Sequence, residues 1–592
     1  MASLRVAAAQ INPTVGALHA NAAKIRAFID EAAAAGVDLV CFPEMALTGY
    51  PPEDLLLKEQ FALDAAGLLS ELASHCSDLV AIVGTIAPAS TPGLELAPAT
   101  DARPAARRRV AGTPLANVAA VLANGRVAGM VAKRLLPNYA VFDEQRWFVP
   151  GVGPQQLFRV AGAVLGVAVC EDLWSPDGPV RELADAGAGL IVSINASPFS
   201  MGHSDERRHV LSDRVNETGC AVLYVNQVGG QDELVFDGGS MAVSDDGHLV
   251  AASPTFVEHL LIADLELHAG VDEVHEALTE LSAVSRRTDA PIEGEVAEMR
   301  SDEAEAYDAL VLGTRDYLSK NGFDRAVIGL SGGIDSTLVA AIAVDALGPN
   351  SVQGISMPSR YSSEHSRSDA DELARRLGIR IDTIGIEPAH RAVAEMLCEI
   401  LAGEPTGLTD ENLQSRLRGV LLMAVSNETG AIVLTTGNKS EMATGYSTLY
   451  GDSAGGYAVI KDVPKTLVYD LCRHRNALAL AAGELAPIPE EVLLKAPSAE
   501  LRPDQTDQDS LPPYELLDPI LAAYVEADMT AAELIALGHD AELVSRVARL
   551  VDIAEYKRRQ MPPGPRITTK AFGKDRRMPI TNAYRSGQDE PS

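Results

Sequence analysis

The segment Ser331-Gly332-Gly333-Ile334-Asp335-Ser336, entered directly from the apolar run Ala326-Val327-Ile328-Gly329-Leu330, narrows the fold more than any other part of the chain. The run reads as a buried strand, the paired glycines as a tight turn, and the residues beyond as the start of a helix. Such a turn leaves backbone N–H groups pointing outward at a helix N-terminus, where an anion is stabilised. Two hydroxyls, and no Lys directly after the glycines, set it apart from the Walker loop. On its own the segment is equally a strand–helix turn that binds nothing. Further apolar strands at 352–357, 380–386 and 431–435, separated by helical stretches, make a parallel α/β sheet the expected setting.

A chain of 592 residues exceeds a single core, so several domains are expected. With 47% hydrophobic and 22% charged residues, large cores are affordable. No apolar run is long enough to span a bilayer. The N-terminus passes straight into a strand pattern at 4–10 rather than a leader. A cytoplasmic enzyme without a membrane partner is therefore expected. Six scattered Cys with no CxxC pair argue against zinc or a disulfide framework. A net charge of −33 repels nucleic acid, so none is expected as a partner. An anionic nucleotide would need a local basic pocket. Lys557, Arg558, Arg559, Arg566, Lys570, Lys574, Arg576 and Arg577 offer one, or form a solvated basic face.

In the front half, helical spacing over 19–35 stops at Gly36 and a strand follows at 37–42. Residues 117–132 read as a hairpin turning at Asn124-Gly125, a pair suited to positive φ. Buried strands recur at 163–170, 189–193 and 221–225. Residues 90–112, rich in Pro, Ala and Arg, read as an exposed insertion. Charges dominate around 266–300, which is placed as a linker between a domain at 1–265 and another at 301–592.

Three strand-end residues stand out in the first domain: Glu44 after Phe42-Pro43, Lys133 after the hairpin, and Cys170 before Glu171-Asp172-Leu173-Trp174. A thiol is a poor nucleophile until deprotonated. A carboxylate can take its proton, and an ammonium can stabilise thiolate and oxyanion. Backbone N–H groups just after Cys170 would complete an oxyanion hole. Singly, each has a plainer reading: packing for Cys170, a surface charge for Lys133, a loop cap for Glu44.

As a set with these flanks, the three resemble the nitrilase superfamily over about residues 4–265. The resemblance implies a four-layer αββα sandwich, with Glu44 as general base, Lys133 as oxyanion stabiliser and Cys170 as thioester-forming nucleophile. Glu144 is a weaker candidate for an additional carboxylate. More narrowly, 133–148 (KRLLPNYAVFDEQRWF), 170–174, 195–199 and 226–237 (NQVGGQDELVFD) resemble the glutaminase domain of glutamine-dependent NAD synthetases. That resemblance assigns Tyr139, Glu171, Trp174, Ser197 and His203 to a glutamine pocket. At His203 that family usually carries Lys or Arg. His203 would meet a substrate carboxylate only when protonated, or Arg207 would stand in for it.

The second domain adds Thr436-Gly437-Asn438-Lys439-Ser440-Glu441 after a strand, Gly451-Asp452, Lys461 to Lys465, and the acidic run 499–509. Thr436 and Glu441 offer hard oxygen ligands suited to phosphate and Mg²⁺, or a helix cap and a solvated carboxylate. The opening loop resembles the pyrophosphate-gripping loop of the ATP pyrophosphatases. The blocks in this order resemble an NAD synthetase domain over about 300–585, a Rossmann-like parallel α/β unit. By that resemblance Ser331, Gly332, Gly333, Asp335, Ser336, Met357, Arg360 and Thr436 bind ATP. Asp335 and Glu441 hold Mg²⁺. Asp452, Lys461, Lys465 and Lys574 line deamido-NAD.

Together these imply a glutamine-hydrolysing carbon–nitrogen ligase of NAD biosynthesis that uses glutamine, ATP and deamido-NAD. Free ammonia is mostly protonated in water, so a shielded passage between the domains is expected. The family pattern also implies a homo-oligomer. Two other readings stay open: another glutamine amidotransferase with the same ATP loop, and a non-catalytic nucleotide sensor. The first would expose a Cys directly after Met1 or carry a Cys–His–Glu set, and residue 2 is Ala. The second would predict broken centres.

Overall fold

The computed structural model describes residues 2–97, 114–153, 156–267, 278–282, 285–286, 290–503 and 505–584. The chain forms two compact units, Met1–Gln231 with Val235–Arg300, and Asp232–Leu234 with Ser301–Ser592. Most of the 90–112 insertion lies outside the described residues.

The strands of the first unit are β1 (Ala2–Gln10), β2 (Leu39–Cys41), β3 (Val80–Pro88), β4 (Leu115–Ala123), β5 (Arg126–Ala132), β6 (Leu157–Val160), β7 (Ala163–Val169), β8 (Leu190–Asn195), β9 (Ala221–Asn226), β10 (Val228–Gln231), β11 (Leu234–Asp237), β12 (Met241–Val243), β13 (Leu249–Ala252), β14 (His259–Leu267) and β15 (Leu278–Ser282). One sheet runs β14-β1-β2-β3-β4-β5 and another β13-β12-β9-β8-β7-β6-β15. Side chains alternate along each strand, and this alternation builds the layers. Ala163, Leu165, Val167 and Val169 of β7 meet Leu4, Val6 and Ala8 of β1 between the sheets. Val164 and Ala168 turn the other way, toward Leu173, Leu183, Leu211 and Val215. Those belong to, or adjoin, α3 (Glu171–Trp174), α4 (Val180–Asp185) and α5 (His203–Thr218), while α1 (Leu18–Ala34) and α2 (Glu59–His75) lie over the other sheet. The result is the αββα sandwich. At the β4–β5 turn, Asn124 and Gly125 both have positive φ, +53° and +73°, as a type I′ hairpin requires.

The stretch read as a linker is anchored to this unit wherever it is described. Strand β15 pairs in parallel with β6. The Asp38 carboxylate accepts the Arg286 N–H (2.5 Å) and the Ser285 hydroxyl (2.9 Å). Asp264 pairs with fully buried Arg5 (2.8 Å) and accepts the Ile292 N–H (2.8 Å). Backbone and hydroxyl groups of the stretch, rather than its charges, make these anchors.

The second unit carries β16 (Ala326–Gly329), β17 (Val352–Ser356), β18 (Arg380–Thr383), β19 (Ile432–Thr435) and β20 (Tyr457–Ala458), in the order β18-β17-β16-β19-β20. Each pairing is parallel. The order of connection reverses between β16 and β19, and in such sheets ligands sit beyond the strand ends at that switch point. Helix α6 (Asp302–Lys320) begins at Ser301, whose hydroxyl accepts the Ala304 N–H. Helix α7 (Ile334–Leu347) is apolar on nearly every side and buried accordingly. Helices α8 (Glu364–Leu377) and α9 (Lys439–Thr444) flank the crevice.

Candidate active sites

In the first unit, three strand ends deliver Glu44, Lys133 and Cys170 to one place. Glu44 follows β2 and packs tightly on β3: a Cβ added to Gly84 would lie 2.1 Å from Pro43 O and 2.7 Å from Glu44 Cα. Lys133 follows β5, its N–H held by Asn117 O at 2.9 Å. Cys170 joins β7 to α3 at φ +48°. A non-glycine residue rarely adopts that backbone, and here it turns the thiol out of the strand.

The Lys133 ammonium lies 2.8 Å from both Glu44 Oε1 and Glu144 Oε1, all three side chains being buried. Asn117 Nδ2 donates to Glu44 Oε1 (2.5 Å), the Ala196 N–H to Glu44 Oε2 (3.1 Å), and Tyr50 OH to Glu144 Oε1 (2.9 Å). Burial opposes the Lys133 charge, but Glu144 and Glu44 outweigh it and push its pKa well up. Glu144 is raised to about 7, by burial against the pull of Lys133. Burial, then the Glu44 charge, holds the Cys170 thiol well above its ordinary range, while Lys133 favours the thiolate. The thiol is thus protonated at rest, beside a carboxylate that can take the proton and an ammonium that can stabilise what forms.

The residues assigned to glutamine form two groups. Tyr139 OH donates to Glu171 Oε2 at 3.0 Å. Trp174 stacks on His203 with centroids 4.9 Å apart and planes 2° from parallel, and His203 Nε2 lies 3.0 Å from Ser197 Oγ. His203 Nδ1 faces Glu206 at 2.8 Å. Burial and the Arg207 charge lower the His203 pKa, so it is neutral near pH 7. Arg207 is buried in a two-pronged pair with Asp237 (2.9 and 3.0 Å) and also donates to Gly238 O. That engagement corrects the alternative that Arg207 stands in for His203.

In the second unit, the loop after β16 folds on its own hydroxyls. The Gly333 N–H donates to Ser331 Oγ (3.2 Å) and Ser336 Oγ to Gly333 O (3.0 Å). Gly332 has φ +77°, and a Cβ there would lie 2.2 Å from Ser366 O; only glycine fits. The loop borders a cavity of about 550 Å³ lined by Ser331, Gly333, Asp335, Ser336, Met357, Thr436, Glu441, Asp452 and Lys465. Lys465 Nζ lies 2.5 Å from Asp335 Oδ2 and 3.6 Å from Glu441 Oε1. Asn438 caps α9 in a reciprocal box with Glu441 and also donates to Asp335 (2.9 Å). Burial and then Asp335 raise Glu441 to about 8, against Lys465. Burial disfavours the Lys465 charge, yet Asp335 and Glu441 hold it firmly protonated. The Asp452 carboxylate accepts the Thr448 N–H (2.7 Å) and the Ser415 hydroxyl (3.1 Å).

Gly332, Arg360, Lys461 and Lys574 do not line this cavity. Arg360 faces Asp410 and Glu387 (3.6 and 3.8 Å), and Lys461 pairs with Glu233 (2.9 Å). Of the eight C-terminal cations, only Lys557 reaches the cavity wall. Arg558 and Arg559 pair with Glu555, Arg566 with Asp575 and Lys570 with Asp528. Four of the eight cations are therefore taken up in ion pairs. Sequence reasoning missed Arg418 and Lys495, which line the cavity with Glu500 of the acidic run 499–509. Arg418 donates to Met357 O at 3.1 Å, and Glu500 accepts from Ser363 (3.1 Å), Ser366 (2.5 Å) and Lys495 (3.2 Å). No local pattern marks Arg418 and Lys495; the fold gathers them from distant segments.

Among the described residues, no group of three or more His, Cys, Asp or Glu is arranged to hold a metal ion. Asp335 and Glu441 nevertheless fit Mg²⁺, which takes one or two carboxylates and fills its remaining positions from phosphate and water. Two crowded carboxylates, one forced up to about 8, form a donor set that a cation would relieve.

Comparison with known proteins covers both units. The carbon–nitrogen hydrolase family model matches residues 5–271, and the NAD synthase model residues 306–562. The glutamine-dependent NAD(+) synthetase of Rhodobacter capsulatus is 46% identical over 587 residues, 98% of this chain and 99% of that protein. The protein of the same name from Thermotoga maritima is 42% identical, over 99% of this chain and all of its own. The structure of glutamine-dependent NAD+ synthetase from Acinetobacter baumannii, in complex with ADP, is 38% identical with a TM-score of 0.73, covering 99% of this chain and 100% of that one.

Proposed function

The chain belongs to the glutamine-dependent NAD(+) synthetases, and we propose that Glu44, Lys133 and Cys170 carry its glutamine hydrolysis while the crevice beyond β16 and β19 carries the amidation. The observation behind this reading is the buried ammonium 2.8 Å from each of two carboxylates, beside a thiol on a strained strand end.

Glu44 takes the Cys170 proton and the thiolate attacks the side-chain amide carbon of glutamine. Lys133 stabilises the negative charge that develops. Glu44 returns the proton to the leaving nitrogen, ammonia departs, and a thioester remains. Water, deprotonated by Glu44, cleaves it to glutamate. Tyr139, Glu171, Trp174, Ser197 and His203 position the substrate.

In the second unit a nicotinate carboxylate oxygen of deamido-NAD attacks the α-phosphorus of ATP, and pyrophosphate leaves. Ammonia then attacks the acyl-adenylate carbonyl, giving NAD+ and AMP. Ser331, Gly332, Gly333 and Ser336 cradle the phosphates. Met357 and Thr436 attend ATP, and Asp452 and Lys465 attend deamido-NAD; Arg360, Lys461 and Lys574, which lie off the cavity wall, are given no part in it. Asp335 and Glu441 would hold Mg²⁺, which when bound neutralises charge on the leaving pyrophosphate. We further propose a homo-oligomer in the cytoplasm. Six free cysteines support a reducing compartment, and no described helix is long and apolar enough to cross a membrane.

The test is Cys170→Ala, assayed with deamido-NAD, ATP and Mg²⁺. Glutamine-driven synthesis is expected to vanish while ammonium-driven synthesis continues, with AMP rather than ADP formed in step with NAD+. Loss of both activities, or retention of glutamine-driven synthesis, would overturn the division.

A further inference from the structure

Asp172 lies two residues beyond Cys170, buried on the short helix α3. Among the described residues its carboxylate has no cation at salt-bridge distance; it is held by backbone. Oδ1 accepts the Leu135 N–H (2.8 Å) and the Arg134 N–H (3.1 Å), Oδ2 accepts Arg134 N–H again (3.2 Å), and Oδ2 is reached by the Val169 N–H at 3.4 Å. Arg134 directly follows Lys133, and Val169 directly precedes Cys170. One side chain thus spans the two segments that present the ammonium and the thiol, across 37 and 38 residues of sequence.

We infer that Asp172 is a positioning residue for the glutaminase half, fixing the distance between Lys133 and Cys170; this rests on the reading of the site given above. Covalent catalysis tolerates little slack, since a misplacement of about 1 Å costs on the order of 100-fold in rate. The Lys133 N–H is held by Asn117 O and the Cys170 N–H by Ile194 O, each at 2.9 Å, but these bonds tie each residue to its own sheet, whereas Asp172 joins the two segments. A carboxylate suits the task. It accepts several N–H bonds at once, whereas an amide of the same shape turns a donor toward one of them. Burial raises the Asp172 carboxyl to about 6, against the N–H bonds of Leu135, Arg134 and Val169 and the Lys133 charge.

The experiment compares Asp172→Asn, Lys133→Arg and the double variant. Two readouts are used: glutamine-driven synthesis, and the rate at which iodoacetamide alkylates the Cys170 peptide, followed by mass spectrometry. Ammonium-driven synthesis reports whether each variant is folded in its other half, and tryptophan fluorescence reports the first unit, which holds both tryptophans, Trp147 and Trp174. D172N is expected to lower kcat with glutamine about tenfold or more, to change KM little, and to slow alkylation. Added to K133R, it should slow alkylation by less than twofold further, because residues acting through one another are not additive. Unchanged kcat in D172N, or effects that multiply in the double variant, would overturn the inference. A native Trp spectrum with slowed alkylation supports it; a lost Trp spectrum, so that the slow rate comes from unfolding, counts against it. Glutamine-driven synthesis surviving in Cys170→Ala would instead sink the underlying site, a separate outcome.

Discussion

Lys133 and Lys465 are both buried ammoniums lying between two carboxylates, yet their surroundings differ. Lys133 meets Glu44 and Glu144, to which Asn117, Ala196 and Tyr50 also donate from inside the protein, while Glu144 Oε2 is buried without a hydrogen-bond partner. Lys465 meets Asp335 and Glu441 on the wall of a cavity of about 550 Å³. The contrast follows from the chemistry each site serves. A covalent nucleophile needs its base and its cation in place before substrate arrives. An adenylation site handles charge that arrives with the substrate, so its carboxylates must stay within reach of a cation from outside. The first charge cluster is built mostly from within the protein, and the second borders a cavity.

The most damaging way to probe this difference is to remove each ammonium. Lys133→Met strands two carboxylates inside the first unit. Breaking a buried pair in this way destabilises by about 3–5 kcal/mol, and glutamine-driven synthesis should be lost with it. Lys465→Met should cost less, and Mg²⁺ with ATP should recover most of the loss, because both carboxylates border the cavity. Urea unfolding with and without Mg²⁺ measures this. The first unit is followed by tryptophan fluorescence and the second by the midpoint of ammonium-driven activity. Equal losses in the two variants, or rescue of K133M by Mg²⁺, would erase the distinction.

The parts of the molecule set by local pattern were legible in the sequence. Strands at 326–330, 352–357, 380–386 and 431–435 separated by helical stretches read as a parallel sheet, and Asn124-Gly125 as a hairpin whose φ values are those of its turn. The switch point between β16 and β19 was not legible, because strand order is a property of long-range pairing. The 266–300 stretch misled for a related reason. The Arg286 and Ile292 N–H groups are taken by Asp38 and Asp264, and bonds to residues outside the stretch leave no local trace. The same holds for Asn117 on Glu44, Asp172 on the backbone after Lys133, and Lys495 beside Ser366. The C-terminal cations differ: a dense run suggested a phosphate pocket or a solvated face, whereas four of the eight pair with carboxylates, three of them with Glu555 and Asp575 close by in sequence and Lys570 with Asp528.

A gentler probe is pH. Burial raises the Glu144 carboxyl from 4.5 to about 7 in the folded state. Below pH 4.5 both states hold the proton. Between there and about 7 the folded state keeps a proton that the unfolded state has lost, so this contribution to stability falls as pH rises through that window and levels off above it. Asp172, raised to about 6, acts with the same sign. The first unit should therefore lose stability on the order of 4 kcal/mol from this pair between pH 5 and 7.5. Glu144→Gln should make the slope shallower without abolishing it. Urea titrations of tryptophan fluorescence across that range test this; a slope in Glu144→Gln equal to the original would mean the proton sits elsewhere.

The smallest expected effect concerns recognition of glutamine. His203 is stacked on Trp174 and bonded to Ser197, and burial and Arg207 hold it neutral near pH 7. A neutral imidazole meets a substrate carboxylate with one ordinary hydrogen bond, and a protonated one with a charge-assisted bond roughly twice as strong. Since the His203 pKa is lowered, the cationic form gains population only below the usual imidazole range, where KM for glutamine should fall while KM for ammonium does not follow it. His203→Arg supplies a permanent cation. It should lower KM for glutamine by about fivefold at pH 7.5, a gain of about 1 kcal/mol, and remove the pH dependence of KM. The nearest opposing charge, Glu206 at 2.8 Å from Nδ1, is exposed and would attenuate the gain without reversing it. A KM for glutamine that is unchanged in His203→Arg, and equally flat with pH in the unaltered protein, would place the substrate carboxylate away from the Trp174 stack and move the pocket toward Tyr139 and Glu171.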